Sequence, residues 1–483
     1  MEEFQELIDR VTGPATEYLA GINDWLYTFI MIAVLVGTGL WFTIRTRGVQ
    51  IRHFGNMIRH VTKSRQGADG GISSFQAFAM GLATRVGIGN VTGVALAMIL
   101  GGPGALFWMW VVALVGMATA FAEAVLAQLF KRRYADGTFR GGPAYYIRAG
   151  LKSKPLSVIF AVAMLFAMVI AMPMVQSNTI AGVLSSSHGV PTWVTGLVVA
   201  GLAALVIFGG VRGVARVTEI VSPAMALAYI VLAVAVVIVN FQHLPEFFQD
   251  VFLSAFGLRE ALFGTSGGIL AALLNGTRRG LFSNEAGMGT NPNAAATATV
   301  SHPVQQGMIQ SFGVFVDTIM VCSATGFVII TSGMLDLQNL VADDSAHLTA
   351  DSIVGSLGGW VAIPLSIIIF FFGFSSILGA YAYANANLVF LNGNAVAEWI
   401  ARVLVVVCSF IGAVLALTFV WTLMDTAMFV VTIMNLVALV ALSKWVVAAL
   451  RDYEQQKASG AEIVFDPDAA GFPADLDCNA WRA

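Results

Sequence analysis

Two long apolar segments of this chain are each interrupted by a Gly-x-Gly pair with a charge standing two residues ahead of it. Arg85 precedes Gly87-Ile88-Gly89-Asn90, and Glu285 precedes Gly287-Met288-Gly289-Thr290-Asn291, 200 positions later (287 − 87). A charge inside an apolar helix is costly, and so is an interruption of its backbone hydrogen bonds, so each needs a physical reason. Interruptions at corresponding places in two halves of a chain are the pattern of membrane transporters that build their sites from discontinuous helices.

Composition agrees with a bilayer as the solvent. Of 483 residues, 58% are hydrophobic and 11% charged, against roughly 25% charged in soluble proteins. Apolar stretches of about 20 residues recur along nearly the whole length, which predicts an all-α integral membrane protein. The net charge of −3 gives no sign of nucleic-acid binding, and no obligatory protein partner is evident. The first 23 residues carry Glu2, Glu3, Glu6, Asp9 and Glu17 and do not read as a signal peptide, which begins with a basic region. Cys322 and Cys408 lie in apolar segments and Cys478 in a polar tail, pointing to neither a disulfide framework nor a metal site.

Eleven transmembrane segments are expected, at about 24–44, 72–100, 104–130, 156–184, 192–210, 218–240, 262–300, 304–332, 358–388, 399–420 and 422–444. Basic residues collect in alternate loops. Arg45, Arg47, Arg52, Arg59, Lys63 and Arg65 follow the first segment. Lys131, Arg132, Arg133, Arg140, Arg148, Lys152 and Lys154 follow the third. Arg212, Arg216, Arg402, Lys444 and Arg451 fall on the same side, whereas the opposite loops carry Arg10 and Arg259 among acids such as Glu246, Asp250, Asp336, Asp343, Asp344 and Asp351. The positive-inside rule then puts the N-terminus outside and the C-terminus in the cytoplasm, as an odd number of segments requires.

Setting the first segment aside leaves ten, and each interrupted segment opens a set of five. Five is odd, so the two sets enter the membrane from opposite sides as inverted repeats. The expected organisation is an outer segment 1–23, an extra helix 24–44, one repeat over 72–240, its inverted partner over 262–444, and a disordered cytoplasmic tail over 452–483 that carries Asp466, Pro467, Asp468, Pro473, Asp475 and Asp477. Residues 243–258 can form an interfacial helix on the outer face.

A broken helix leaves unpaired N–H groups at one new end and unpaired C=O groups at the other. The first end suits a carboxylate and the second a small cation, which together fit an amino acid and Na⁺ near the midplane. Small residues also serve close helix packing, and Gly-x-Gly recurs at Gly37/Gly39 and Gly102/Gly104, so the flanking Arg85, Asn90, Asn284 and Glu285 carry the argument. Arg85 can meet a substrate carboxylate or form an internal ion pair with Glu285 or Asp317. The ion pair is the favoured reading, because a bare intramembrane arginine is expensive. Glu123, Asp317 and Asp425 can carry a coupling proton or take hydrogen-bonded structural roles. Ser375-Ser376, after Phe370-Phe371-Phe372-Gly373-Phe374, can complete a sodium shell or bond back to their own helix. Gln176, beside Pro173 and Ser177, can bind substrate or a neighbouring helix.

The run from Ser74-Phe75-Gln76 through Leu82-Ala83-Thr84-Arg85-Val86-Gly87-Ile88-Gly89-Asn90-Val91 resembles the alanine/glycine:cation symporter family. So do Gly101-Gly102-Pro103-Gly104-Ala105 with Phe107-Trp108-Met109-Trp110, Gly141-Gly142-Pro143-Ala144-Tyr145-Tyr146, and Arg279-Gly280-Leu281-Phe282-Ser283-Asn284-Glu285-Ala286-Gly287-Met288-Gly289. The resemblance covers about 24–445. It implies two inverted five-helix repeats with an added N-terminal helix, and uptake of alanine, glycine or a related amino acid coupled to Na⁺ or sometimes H⁺, with no organic cofactor. It implies substrate contacts at Thr84, Gly87, Asn90, Gln176, Phe282, Asn284 and Ala286. Sodium ligands are implied from the carbonyls of Ala83, Val86 and Phe372 and the hydroxyls of Ser375 and Ser376.

Four positions depart from the family pattern. Ile88 stands where Thr is usual, and Ser375-Ser376 where Thr-Thr is usual. Ala380 stands where a bulky Trp usually follows Ile377-Leu378-Gly379. If that Trp closes the pocket, Ala380 enlarges it, which leaves open both a small substrate and a larger neutral one such as glutamine.

Other classes fit less well. Gly264-Thr265-Ser266-Gly267 is similar to an intramembrane protease motif, but all six histidines fall in loops or at segment ends, so the serine has no base. Asn275-Gly276-Thr277 matches a glycosylation acceptor inside an apolar segment. A channel can also use broken helices, and differs by conducting without coupling.

Overall fold

The computed structural model describes residues 2–63, 72–134, 137–258, 268–474 and 476–482. The start of the seventh expected segment, with Arg259 and the Gly264–Gly267 motif, lies outside the described residues, as does Arg65. The described chain is helical apart from a two-stranded antiparallel ribbon that pairs Arg132–Arg133 (β1) with Phe139–Arg140 (β2), and a single parallel bridge between Ile72 and Ala298.

Among the described residues, eight helices are long and apolar enough to cross a membrane. They are α1 (Thr12–Arg45), α4 (Gly104–Leu129), α5 (Lys154–His188), α7 (Gly210–Val239), α10 (Pro303–Thr331), α11 (Gly359–Phe390), α12 (Ala395–Val414) and α13 (Leu417–Ala441). A bent pair, α2 (Ser74–Arg85) and α3 (Gly89–Gly101), makes a ninth candidate span with a 47° bend at the first glycine pair. Two further expected segments fall on the shorter α6 (Thr192–Ile207) and on α8 (Ile269–Asn284) with α9 (Asn291–Ala295). A last helix, α14 (Ser443–Ser459), follows α13 directly.

The interruptions have local causes. Ser73 caps α2 through a reciprocal hydrogen-bond pair with Gln76, so that helix starts at a fixed residue. It stops at Val86, which is extended (φ −80, ψ 93). Beyond α8, Glu285, Gly287 and Gly289 all take positive φ, of 55°, 90° and 83°. Glycine tolerates that region freely, which is why the second interruption needs its glycine pair.

Small residues bring the helices close. Gly276 of α8 lies against the Ala105 carbonyl of α4, Gly307 of α10 against Phe121 and Val125 of α4, and Gly412 of α12 against the Met174 backbone of α5. Two helix groups result. In one, α8 and α10 pack on α4, with α3 on α8. In the other, α5 and α6 pack on α12. The first interruption faces α11, which also packs on α5 and α7.

Three features differ from the sequence reading. Helix continues without a break from the expected outer segment into α1. Its midpoint is tied to α13: Asn23 donates to Thr422 O (3.0 Å) and Tyr27 to Asp425 O (3.0 Å). Wider π turns interrupt several helices, including Gly89–Gly93 and Phe315–Cys322.

The tail expected to be disordered is folded. Phe465, Phe472, Leu476 and Cys478 are buried, Phe465 N–H donates to Ser301 O (2.9 Å), and Trp481 Nε1 donates to Gln128 O (2.8 Å). Its acids and prolines set the average polarity, but a few aromatics suffice to anchor it on the loop after α4. The segment expected to be interfacial forms the helix Leu244–Ala255, with Phe247 and Val251 buried and Phe248 and Phe252 exposed.

Candidate substrate and cation site

One hydrogen bond shapes the first interruption. In a continuous helix the Gly87 N–H would donate to Ala83 O. Instead it donates to Asn90 Oδ1 (2.8 Å), leaving the Ala83 carbonyl without its helical partner. That carbonyl accepts from Ser376 Oγ (3.0 Å) and, weakly, from Ser375 Oγ (3.5 Å) of α11. Both hydroxyls also bond back to Phe372 O, at 3.1 and 2.9 Å. Four oxygens therefore meet at one point: two carbonyls and two hydroxyls. Such hard ligands suit a small alkali cation. Gly87 keeps the point open, because a Cβ there would sit 2.7 Å from Ser376 Oγ. Four of the five expected sodium ligands are thus together. For Val86, the fifth, the N–H remains in the helix, on Leu82 O (2.8 Å).

Asn90, expected to face substrate, is committed to the protein. Its Nδ2 donates to Asp317 Oδ1 (2.6 Å) and lies 3.2 Å from Ser283 Oγ. Asp317 Oδ2 accepts from Ser283 (2.8 Å) and Thr318 (2.7 Å). Asn90 and Asp317 occupy the two π turns named above, so the widened turns meet at this contact. The two interruptions also touch directly: the Phe282 ring lies 2.9 Å from where a Gly89 Cβ would be.

The expected ion pair of Arg85 with Glu285 or Asp317 is not formed. Arg85 Nη1 donates instead to Gln310 O (3.0 Å) and Gln310 Oε1 (3.2 Å) of α10. Neutral donors occupy the carboxylates: Glu285 Oε2 accepts from Thr290 (2.6 Å), Asn291 (2.8 Å) and Thr84 (3.3 Å). The same Thr84 hydroxyl bonds Tyr383 OH (2.9 Å), linking α2, α8 and α11. Glu123 takes a structural role. Its oxygens accept from Gly287 N–H and Gly289 N–H at 3.0 Å each, so α4 caps the second interruption.

Asn284 Oδ1 accepts from Ala286 N–H (3.0 Å), while its Nδ2 is buried without a partner. Gln176 Nε2 approaches Met172 Sδ (3.3 Å) and its Oε1 is likewise unpartnered. No hydrogen bond joins Gln176 to either interruption. Buried polar atoms without partners are rare and mark places where a polar ligand can bind. Ala286 packs toward Gly116 of α4. Ala380 is buried beside Gly379, whose missing Cβ admits the Thr84 methyl. Ile88 packs toward Ile180 and Gly373, which gives the apolar side chain at that position a reason.

The sequence reading missed one aromatic wall. Trp421 of α13 meets the Phe282 ring at 4.6 Å, and the Arg279 guanidinium lies 4.4 Å from the indole while bonding Asp425. Both charges stand inside apolar segments, and the rule that such charges pair was the signal that could have joined them.

Two interrupted helices in contact, the first beside a cluster of hard oxygens, in a multi-pass membrane bundle, define the class as a cation-coupled secondary transporter. The chain matches the model of the sodium:alanine symporter family over residues 13–467. The chain belongs to that family and is a sodium-coupled amino-acid symporter, not an enzyme. Among its relatives, the putative sodium/proton-dependent alanine carrier protein YrbD of Bacillus subtilis is 40% identical over 94% of this chain and 96% of its own. The probable sodium/glutamine symporter GlnT of the same organism is 40% identical over 98% and 96%. The sodium/alanine symporter AgcS of Methanococcus maripaludis is 36% identical over 91% and 98%.

Proposed function

We propose that the protein carries a neutral amino acid into the cell with Na⁺, through eleven spans arranged as two inverted five-helix repeats and an added first helix. The nine candidate spans, with α6 and the α8–α9 pair, make up that number. Loop charge supports an outer N-terminus and a cytoplasmic C-terminus in a plasma membrane. The observation that carries the coupling is the meeting of Ala83 O, Phe372 O, Ser375 Oγ and Ser376 Oγ. Na⁺ enters there as cargo. The amino acid lies between the interruptions, against Thr84, Gly87, Phe282 and Asn284, with Gln176 and Trp421 at its edge. Na⁺ is favoured over H⁺ because the groups bonded to Glu123, two backbone N–H groups and the Asn435 amide nitrogen, only donate, so that carboxylate has no acceptor placed to take a proton from it.

Transport follows by alternating access: the group of α2, α3, α4, α8, α9 and α10 rocks against α5, α6, α11 and α12. YrbD and AgcS are named for alanine and GlnT for glutamine. Ala380, where a Trp is usual, favours the larger substrate. A competition panel of unlabelled amino acids against one labelled substrate checks this. Ala380→Trp is expected to shift preference from glutamine toward alanine and glycine, and an unchanged profile refutes the enlarged pocket.

A further inference from the structure

At the basic end of the bundle, away from the interruptions, a groove of about 340 Å³ lies between the end of α1 and the first turns of α14. Arg45, Arg47, Lys444 and Arg451 line it, over a floor of Val447 and Ala448. Positions 444, 447, 448 and 451 share one face of α14, so its two cations flank the apolar floor. No acidic residue lines the groove. The acids nearest along α14 are already engaged, Asp452 with His302 and Glu454 with Arg52 and His53. Among the described residues none of the four cations forms an ion pair, and all four are exposed.

Two observations put the groove at the membrane surface. Arg45 stacks over Trp41 (5.3 Å) and Lys444 over Trp445 (4.4 Å), and tryptophans gather where hydrocarbon gives way to headgroups. Exposed apolar side chains lead from the groove along both helices: Leu40 and Ile44 on α1, Val437 and Val440 on α13. Four unpaired cations above two apolar tracks match a ligand with a phosphate head and hydrocarbon tails.

We propose that this groove binds the phosphodiester head of an anionic phospholipid, with its acyl chains along Leu40–Ile44 and Val437–Val440. A basic pocket between helices at the membrane surface is a recognised means of holding such heads. The lipid would bridge the added first helix to the helix that follows α13.

Native mass spectrometry of the purified full chain with phosphatidylglycerol or phosphatidylcholine tests this. Each surface cation strengthens anionic-lipid binding about fivefold, so Arg47→Gln with Lys444→Gln and Arg451→Gln is expected to weaken phosphatidylglycerol binding roughly a hundredfold. Lys444→Gln alone, an exposed change, is expected to give about fivefold and guards against misfolding of the triple variant. Arg59→Gln with Arg133→Gln and Lys154→Gln removes the same charge from the same end and is expected to leave binding unchanged. Equal loss in that control overturns the proposal, as does equal binding of the two lipids. Full displacement by soluble glycerol phosphate at matched concentration would mean a soluble-anion site and overturns it too.

Discussion

Asn90 does at residue scale what the Gly-x-Gly pair alone cannot. By taking the Gly87 N–H it frees the Ala83 carbonyl, and the freed carbonyl is what Ser376 reaches. Removing one ligand oxygen at such a site costs about as much as one hydrogen bond to a charged group. Ser376→Ala is therefore expected to raise the Na⁺ concentration for half-maximal uptake about tenfold, with little change in amino-acid affinity at saturating Na⁺. Uptake measured across a Na⁺ series checks this, and an unshifted midpoint removes Ser376 from the cation site. That Ala83, Phe372, Ser375 and Ser376 come together was legible in the sequence through the family resemblance and the paired hydroxyls. The partners of Arg85 were not. Pairing by opposite charge ignores neutral competitors, and Thr290 and Asn291 lie nearer to Glu285 than any arginine.

At the scale of elements, apolar run length located eight of the eleven expected spans and the bent pair as a ninth, since a bilayer permits few alternatives. The π turns at Gly89–Gly93 and Phe315–Cys322 had no sequence signal, because they depend on the Asn90–Asp317 contact between helices. The tail misled for another reason: average polarity hid Phe465, Phe472 and Trp481, whose rings pack edge to face at 5.5 and 5.2 Å around Phe465. A buried phenylalanine contributes about 1.5–3 kcal/mol, enough for two to hold a short strap. Limited proteolysis in detergent is expected to spare residues 461–482 in the natural protein. Phe465→Ala with Phe472→Ala should open them to rapid cleavage. Equally fast cleavage of both would contradict a docked tail. The strap starts from α14, beyond α13, and reaches the end of α4 and the loop before α10, so it ties the terminal helices to the group built on α4.

Across the whole molecule, the two interruptions act as one unit. Thr84 and Asn90 from the first meet Glu285 and Ser283 from the second, α4 caps the second through Glu123, and α11 supplies the serines. In the proposed function, parts drawn from both helix groups would share one cation and one substrate, which is how binding can bias a rocking motion. The most direct test of this account is uptake of labelled alanine and glutamine into proteoliposomes under an imposed inward Na⁺ gradient. The account predicts uphill accumulation that collapses when the gradient is dissipated and that a proton gradient alone does not replace. Accumulation driven equally well by protons, or ion current without amino-acid uptake, would contradict it.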